Sequence, residues 1–257
     1  MRCLAVVALT LCLISAARAA TFSESFDEPG GFFEGGTDNI PSNPPSDWYV
    51  FNNSSPAGTT SWTDGPAAIG SGTFSPQSGS SFAQVGASSG MGVATISNWL
   101  ITPVLSLNAG DVISFYTRTV SNPQFADRLQ LDLSTNGSST NVGTTATSVG
   151  DFTTTLLDIN PDYQLTGPGS YPTTWTQYTI ASPVTATGRL AFRYFVEDGG
   201  PMGDNSDTIG VDTFSVSPAV ATPEPGALTL LAATTFWGLA RRGTHRRHVA
   251  IASPAIC

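Results

Sequence analysis

The carboxylates Glu24, Asp27 and Glu28 crowd near the start of a long acidic segment, and Asp212 stands near its end. If the first and last strands of that segment pair, these groups converge from opposite ends of the chain. Such a cluster suits calcium, which takes six to eight oxygen ligands and needs neither nitrogen nor sulfur. The ordinary alternative is that acids this close are solvated or close turns. A second acidic stretch runs from Glu197 and Asp198 to Asp204, Asn205 and Asp207. It reads as a loop in which Asp and Asn close Asx turns, and its spacing lacks the Gly and distal Glu register of an EF-hand.

Paired carboxylates can also hydrolyse glycosides, needing only two groups about 5–10 Å apart. Residues 21–222 hold eighteen carboxylates, so a pair is easy to nominate, but no motif selects one and no catalytic residue is assigned. Aromatic rings offer another chemistry, stacking on sugar faces. Trp48, Tyr49, Trp62, Trp99, Trp175 and Tyr178 are candidates, set against the tendency of sandwich aromatics to be core. Trp62, inside the polar run Thr59–Gly65, is the best candidate for a surface platform, with core burial at least as strongly expected.

What is missing narrows the list further. The chain has 257 residues, and all ten of its cationic side chains are Arg. Cys3 and Cys12 fall near the start, Cys257 is last, and His245 and His248 sit in the basic tail. The body between therefore lacks Cys, His and Lys, which excludes disulfides, thiolate or imidazole zinc sites, Ser-His-Asp and Cys-His catalysis, and Schiff bases. Against its eighteen carboxylates the body sets only Arg118, Arg128, Arg189 and Arg193, a net of −14. That field repels phosphate backbones, so nucleic acid is a poor partner and none is expected.

The elements that must position these groups are strands. Residues 21–217 show no sustained helical period, only short alternating or β-branched runs between Gly, Pro, Asn and Ser clusters, the pattern of an all-β sandwich. Leu129, Leu131 and Leu133 point one way, with Arg128, Gln130 and Asp132 the other. Asn136-Gly137 follows as a tight-turn signal. Leu190, Phe192, Tyr194 and Val196 form a second stripe, and Ile113 and Phe115 a third. Further strands are expected near Phe22–Phe26, Trp48–Phe51, Phe82–Val85, Trp99–Leu105, Phe152–Leu157, Trp175–Ile180 and Thr208–Val216. In the last, Ile209 and Val211 have one parity and Phe214 and Val216 the other, which predicts a β-bulge near Asp212 or Thr213. Asn52–Gly92 is expected to be mainly long loops. About 200 residues bury one core without disulfides, so one domain is expected.

The two ends read as addresses. Residues 1–20 carry Arg2, an apolar run Leu4–Ile14 and the small residues Ala17 and Ala19, the pattern of a cleavable secretory signal helix. A linker at 218–222 leads to Pro223-Glu224-Pro225, an apolar segment 226–240, the cluster Arg241, Arg242, Arg246 and Arg247, and a tail 248–257. As a helix, 226–240 spans about 22 Å, a short transmembrane segment. The arginines after it hold that end in the cytoplasm and leave the acidic body outside.

This three-part end, residues 223–247, resembles the PEP-CTERM sorting signal of Gram-negative bacteria, departing from it in the tail beyond the arginines. The resemblance implies an exosortase as partner, transit through the inner membrane, cleavage near Pro223-Glu224-Pro225, and delivery to the cell surface or matrix in company with exopolysaccharide and biofilm. Within the body, Ser23-Glu-Ser-Phe-Asp-Glu28, Ser97-Asn-Trp-Leu-Ile-Thr-Pro-Val-Leu-Ser-Leu107 and Ile209-Gly-Val-Asp-Thr-Phe-Ser-Val216 resemble the choice-of-anchor J domain, a group similar to cleaved adhesin and MAM-like jelly rolls. That likeness implies a single jelly-roll β-sandwich and a structural calcium held by Glu24 or Asp27 with Asp212. The expectation is thus a non-enzymatic exported protein of adhesion or polysaccharide architecture; a carbohydrate-binding module or a glycoside hydrolase are the alternatives.

Overall fold

Alternation of apolar and polar side chains does lay down strands through the body. The computed structural model describes residues 22–27, 32–33, 48–66 and 74–219. The signal segment 1–20, Glu28, Pro223-Glu224-Pro225, the segment 226–240, Arg241, Arg242, Arg246, Arg247 and the tail 248–257 lie outside these residues. Among the described residues no helix is long and apolar enough to cross a membrane.

Thirteen strands follow in chain order: β1 Phe22–Glu24, β2 Tyr49–Asn52, β3 Ser55–Ala57, β4 Thr63–Gly65, β5 Phe82–Gly86, β6 Gly90–Ile101, β7 Leu105–Leu107, β8 Val112–Thr119, β9 Leu129–Ser134, β10 Thr154–Ile159, β11 Thr176–Ala181, β12 Ala186–Gly199 and β13 Thr208–Ser217. They form two antiparallel sheets. Sheet I runs β11-β8-β13-β5-β4, with β1 also on β13; sheet II runs β10-β9-β12-β6-β2, with β3 on β6 and β7 on β12. The eight main strands, β5, β6, β8, β9, β10, β11, β12 and β13, fall in the orders β5-β13-β8-β11 and β6-β12-β9-β10. That is the strand order of a two-sheet jelly roll.

The core lies between the sheets. Leu190, Phe192, Tyr194 and Val196 of β12 face Ile113 and Phe115 of β8 and Ile209, Val211, Phe214 and Val216 of β13, all buried. Edge-to-face rings link the layers, Phe115 to Phe192 at 5.0 Å and Phe192 to Phe214 at 5.5 Å. Among the described residues every member of this core lies between Phe22 and Val216, and the compact unit that holds it ends at Ala219, so a fragment 21–219 contains the whole of the described core.

β13 bears the expected bulge. Its register against β8 shifts between Asp212 and Ser215, and Thr213 takes φ 51°. Ile209, Val211, Phe214 and Val216 thereby all reach the core despite their mixed parity. The bulge has a topological cause: on one side β13 pairs with β5 over Thr208–Val211 and with β1 over Phe214–Val216. Asp212 and Thr213 occupy the gap where one neighbour stops and the next begins.

Two expectations change. Residues 90–92, expected as loop, open strand β6, which pairs with β12 from Ala94 onward. Gly137 does take the left-handed φ of 54°, but no tight hairpin follows, because residues 135–153 make a long excursion between β9 and β10.

Candidate functional site

Two of the acids expected to converge, Asp27 and Asp212, hold one stretch of backbone. Asp212, fully buried, accepts the N–H groups of Gln77 at 2.8 Å and Ser78 at 3.2 Å on Oδ2. Asp27 accepts those of Ser80 at 2.6 Å and Ser81 at 2.9 Å on Oδ1. The first and last strands thus clamp the segment Gln77–Ser81 that leads into β5. Gly79 at its centre has φ +63°, and a Cβ there would strike the Asp27 carboxylate. Glu24 turns inward instead, its Oε1 accepting the Phe26 N–H at 2.8 Å. The Thr213 hydroxyl completes the clamp on Gln77 Oε1 at 2.8 Å.

Each of these three carboxylates spends one oxygen on backbone N–H groups, so the clamp is held by the chain's own donors. Among the described residues no group of three or more His, Cys, Asp or Glu is placed to hold a metal. The clamp makes a definite prediction: EDTA should leave the melting temperature of the 21–219 fragment unchanged. Asp212→Ala, which strands two backbone donors, should cost about 2 kcal/mol, read by urea denaturation.

Trp62 is not a surface platform. It is 4 % exposed, packed in the main core, and its indole N–H donates to the Asn98 carbonyl at 3.2 Å. Its polar sequence neighbours misled, because β4 turns this ring inward at the sheet edge. Trp48 and Trp99 are buried as well. The loop 197–207 is closed less by Asp than expected. Ser206 Oγ accepts the Gly200 N–H at 2.8 Å, and the Asp198 carbonyl accepts that of Asn205 at 3.0 Å.

Two buried carboxylates, Asp127 and Asp132, have the most strongly raised pKa values. Asp127 lies between the sheets, where burial pushes it up to about 6 against hydrogen bonds from Thr119, Tyr194 and the Asp207 N–H. Asp132 lies on the outer side of sheet II and is also raised to about 6 by burial. One of its oxygens accepts from Thr155 at 2.6 Å, and the other has no hydrogen-bond partner.

The excursion 135–153 explains why Asp132 is buried. Val142 and Phe152 roof the outer face of sheet II, packing on Trp99, Ile101 and Ala191. Arg193, 3 % exposed, is trapped beneath, over the Phe195 ring at 4.0 Å and the Trp99 ring at 4.7 Å. It donates to Gln130, Ser97 and the Ala146 carbonyl, and burial lowers its pKa to about 10. Beside it Arg128 forks onto Asp158 at 2.9 and 2.7 Å.

The outer face of sheet I carries no comparable roof among the described residues. It bears a small aromatic cluster: Phe74 and Phe82 stack at 5.0 Å over Gly210, where a Cβ would lie 2.7 Å from Phe82. Trp175 stands edge-on to both, at 5.6 and 5.4 Å, with its N–H on the Ser75 carbonyl. Trp175 is only partly buried, unlike Trp48, Trp62 and Trp99. Next to it Arg118 lies over Phe74 at 4.6 Å and donates to the Thr173 and Thr119 carbonyls and to Ser121. Among the described residues Arg118 has no carboxylate partner, in contrast to Arg128. Tyr116 and Gln177 sit in the adjoining row of the same face. The chemistry here is an apolar ring beside a cation held by carbonyls, a hydroxyl and a ring face, with no carboxylate on it among the described residues. Sequence reading placed Trp175 among the aromatic candidates but had no signal for Arg118, whose setting depends on Phe74 arriving from 44 residues away.

Among known proteins, no family model matches the chain, and no curated protein matches it. Solved structures do. The chain is similar to the K1 cleaved adhesin domain of Lys-gingipain from Porphyromonas gingivalis, at 22% identity and TM-score 0.48, covering 79% of this chain and 99% of that one. The K3 domain of the same protein matches at 18% identity and TM-score 0.49, over 78% and 97%. A carbohydrate-binding module solved with β-1,4-galactotriose matches at 15% identity and TM-score 0.37, over 70% and 98%. All three TM-scores lie below 0.5.

Proposed function

We propose that the chain is an exported, non-catalytic surface protein whose sandwich holds an acidic polysaccharide through the outer face of sheet I. The observation that carries this reading is Arg118, a partly exposed guanidinium that has no carboxylate partner among the described residues of a strongly acidic body, set beside Trp175. Desolvating a cation without compensation costs free energy, so a site of this make-up gains by receiving an anion. A pyranose carrying a carboxylate suits both halves, its C–H face on the indole and its acid on the guanidinium. Beyond about 8 Å, physiological salt screens the repulsion between polymer and body. The sealed positions of Asp127 and Asp132 support a non-catalytic role, since neither reaches solvent. The apolar ends and Pro223-Glu224-Pro225 support export through the inner membrane and exosortase-type processing, with adhesion or matrix architecture as the outcome.

Affinity electrophoresis of fragment 21–219 through gels containing polygalacturonate or a neutral glucan tests the binding. Retardation by polygalacturonate is expected, reduced at least tenfold in affinity by Arg118→Gln or Trp175→Ala, a loss of about 1.4 kcal/mol. Equal mobility in all gels sinks the proposal. The export half is tested separately: replacing Pro223-Glu224-Pro225 by alanines should leave the protein in the inner membrane, and unchanged release would refute the sorting.

A further inference from the structure

We infer that the chain pairs with a second copy of itself along the open edge of β11, extending sheet I across a two-fold axis at Thr179. β11 is the last strand of sheet I on its side. Its register against β8 is unbroken from Thr176 to Ala181. The Thr119 N–H of β8 donates to the Pro172 carbonyl, and the Ser182 N–H donates to the Asp111 carbonyl. Odd-numbered residues of β8 therefore turn their backbone groups toward β11, so Thr176, Tyr178 and Ile180 close the ladder from the other side. The N–H and C=O groups of Gln177, Thr179 and Ala181 face outward, where no further strand stands among the described residues.

Sheet edges are normally blunted by charge, proline, bulges or brevity. The other edge strands show these devices. β10 has a register break between Thr155 and Leu157 and carries Asp158. β4 has three residues including Asp64, and β2 has four. β11 has none: Thr176-Gln-Tyr-Thr-Ile-Ala181 is neutral, regular and free of proline. In a body of net charge −14, an edge free of charged side chains is where two copies approach with least short-range repulsion.

The edge also matches itself. Opposed residues of antiparallel strands share a face, so the axis must pass through a residue and not between two. With Thr179 on the axis, Gln177 meets Ala181 of the second copy and Tyr178 meets Ile180. Outward backbone groups then form three doubly hydrogen-bonded pairs. Tyr178 and Ile180, half-buried at the rim of the core, cover each other. The axis keeps both outer faces on the same side, so the two Trp175–Arg118 sites look in one direction, although the pairing does not depend on what those sites bind.

Sedimentation velocity on fragment 21–219 tests this. A reversible, concentration-dependent dimer is expected. Thr179→Pro removes an outward N–H without breaking the ladder to β8, and Thr179→Lys sets two cations face to face on the axis. Each should weaken dimerisation at least tenfold while circular dichroism stays native, so a folding failure in the proline variant leaves the lysine variant to decide. Thr179→Cys, the sole cysteine of the fragment, should give a disulfide-linked dimer on oxidation, since opposed Cα atoms about 5.5 Å apart lie within disulfide reach. A fragment monomeric at every concentration, or a dimer that both variants leave unchanged, overturns the inference.

Discussion

Trp48→Ala should destabilise fragment 21–219 by about 3–5 kcal/mol, a large part of the roughly 5–15 kcal/mol that holds a typical domain. Trp48 is 1 % exposed and joins Phe22, Phe26, Phe32 and Phe214 through ring contacts of 5.5 to 6.3 Å. It is the hub through which the N-terminal strand is held against β13. Truncation leaves a cavity ringed by aromatics that cannot collapse without moving β1. Its indole N–H has no hydrogen-bond partner, so Trp48→Phe, which deletes an unsatisfied donor along with some volume, should cost less than half as much. Urea denaturation of the three proteins checks the ordering, and an alanine variant as stable as wild type would remove Trp48 from this role.

The second large effect is with pH. Asp127 and Asp132 each have a folded pKa of about 6 through burial, above the unfolded value of about 3.9. Between these values the folded state binds more protons than the unfolded one, so stability falls as pH rises from about 4 to about 6. Asp207 and Asp212 are shifted upward in the same sense by burial. Asp158, held below its usual range although burial opposes this, acts oppositely, through Arg128 and Gln130: its contribution is present above its unfolded pKa and lost on acidification. The two most strongly raised acids dominate, each contributing on the order of 2 kcal/mol. The melting temperature should therefore be higher at pH 5 than at pH 7.5, and Asp127→Asn or Asp132→Asn should each flatten that slope. A protein that loses stability steadily from pH 7.5 to pH 5 would show the buried acids to be ionised without penalty.

What the sequence revealed of the fold was what local alternation encodes. The stripe Leu190, Phe192, Tyr194, Val196 placed β12, and the change of parity between Val211 and Phe214 located the bulge within a residue. The first half of β6 was invisible because Gly90-Met-Gly-Val-Ala-Thr95 has no alternation of its own; its extended form comes from pairing with β12 and β3. The convergence of Asp27 and Asp212 was also legible, since it needed only that first and last strands pair. Their partners were not, because the N–H groups of Gln77–Ser81 carry no side-chain signature.

The outer faces were hardest to read. Arg128, Gln130 and Asp132 alternate away from the core and look like a solvated side of a strand. Yet Asp132 and Arg193 end up sealed beneath Val142 and Phe152, which arrive from a connection that no period of two describes. Sheet I keeps its outer aromatic cluster partly open for the complementary reason, since it bears no such connection among the described residues. Trp62 and Trp175 stand in equally polar stretches of sequence, and only their placement relative to the two sheets separates a core ring from an accessible one.

Tryptophan emission during a titration of fragment 21–219 with oligogalacturonate is the most direct test of the central claim, because Trp48, Trp62 and Trp99 are buried and Trp175 is not. A saturable change in emission that disappears in Trp175→Phe is the predicted result. An emission unmoved by saturating oligosaccharide, or a change that persists in Trp175→Phe, would contradict it.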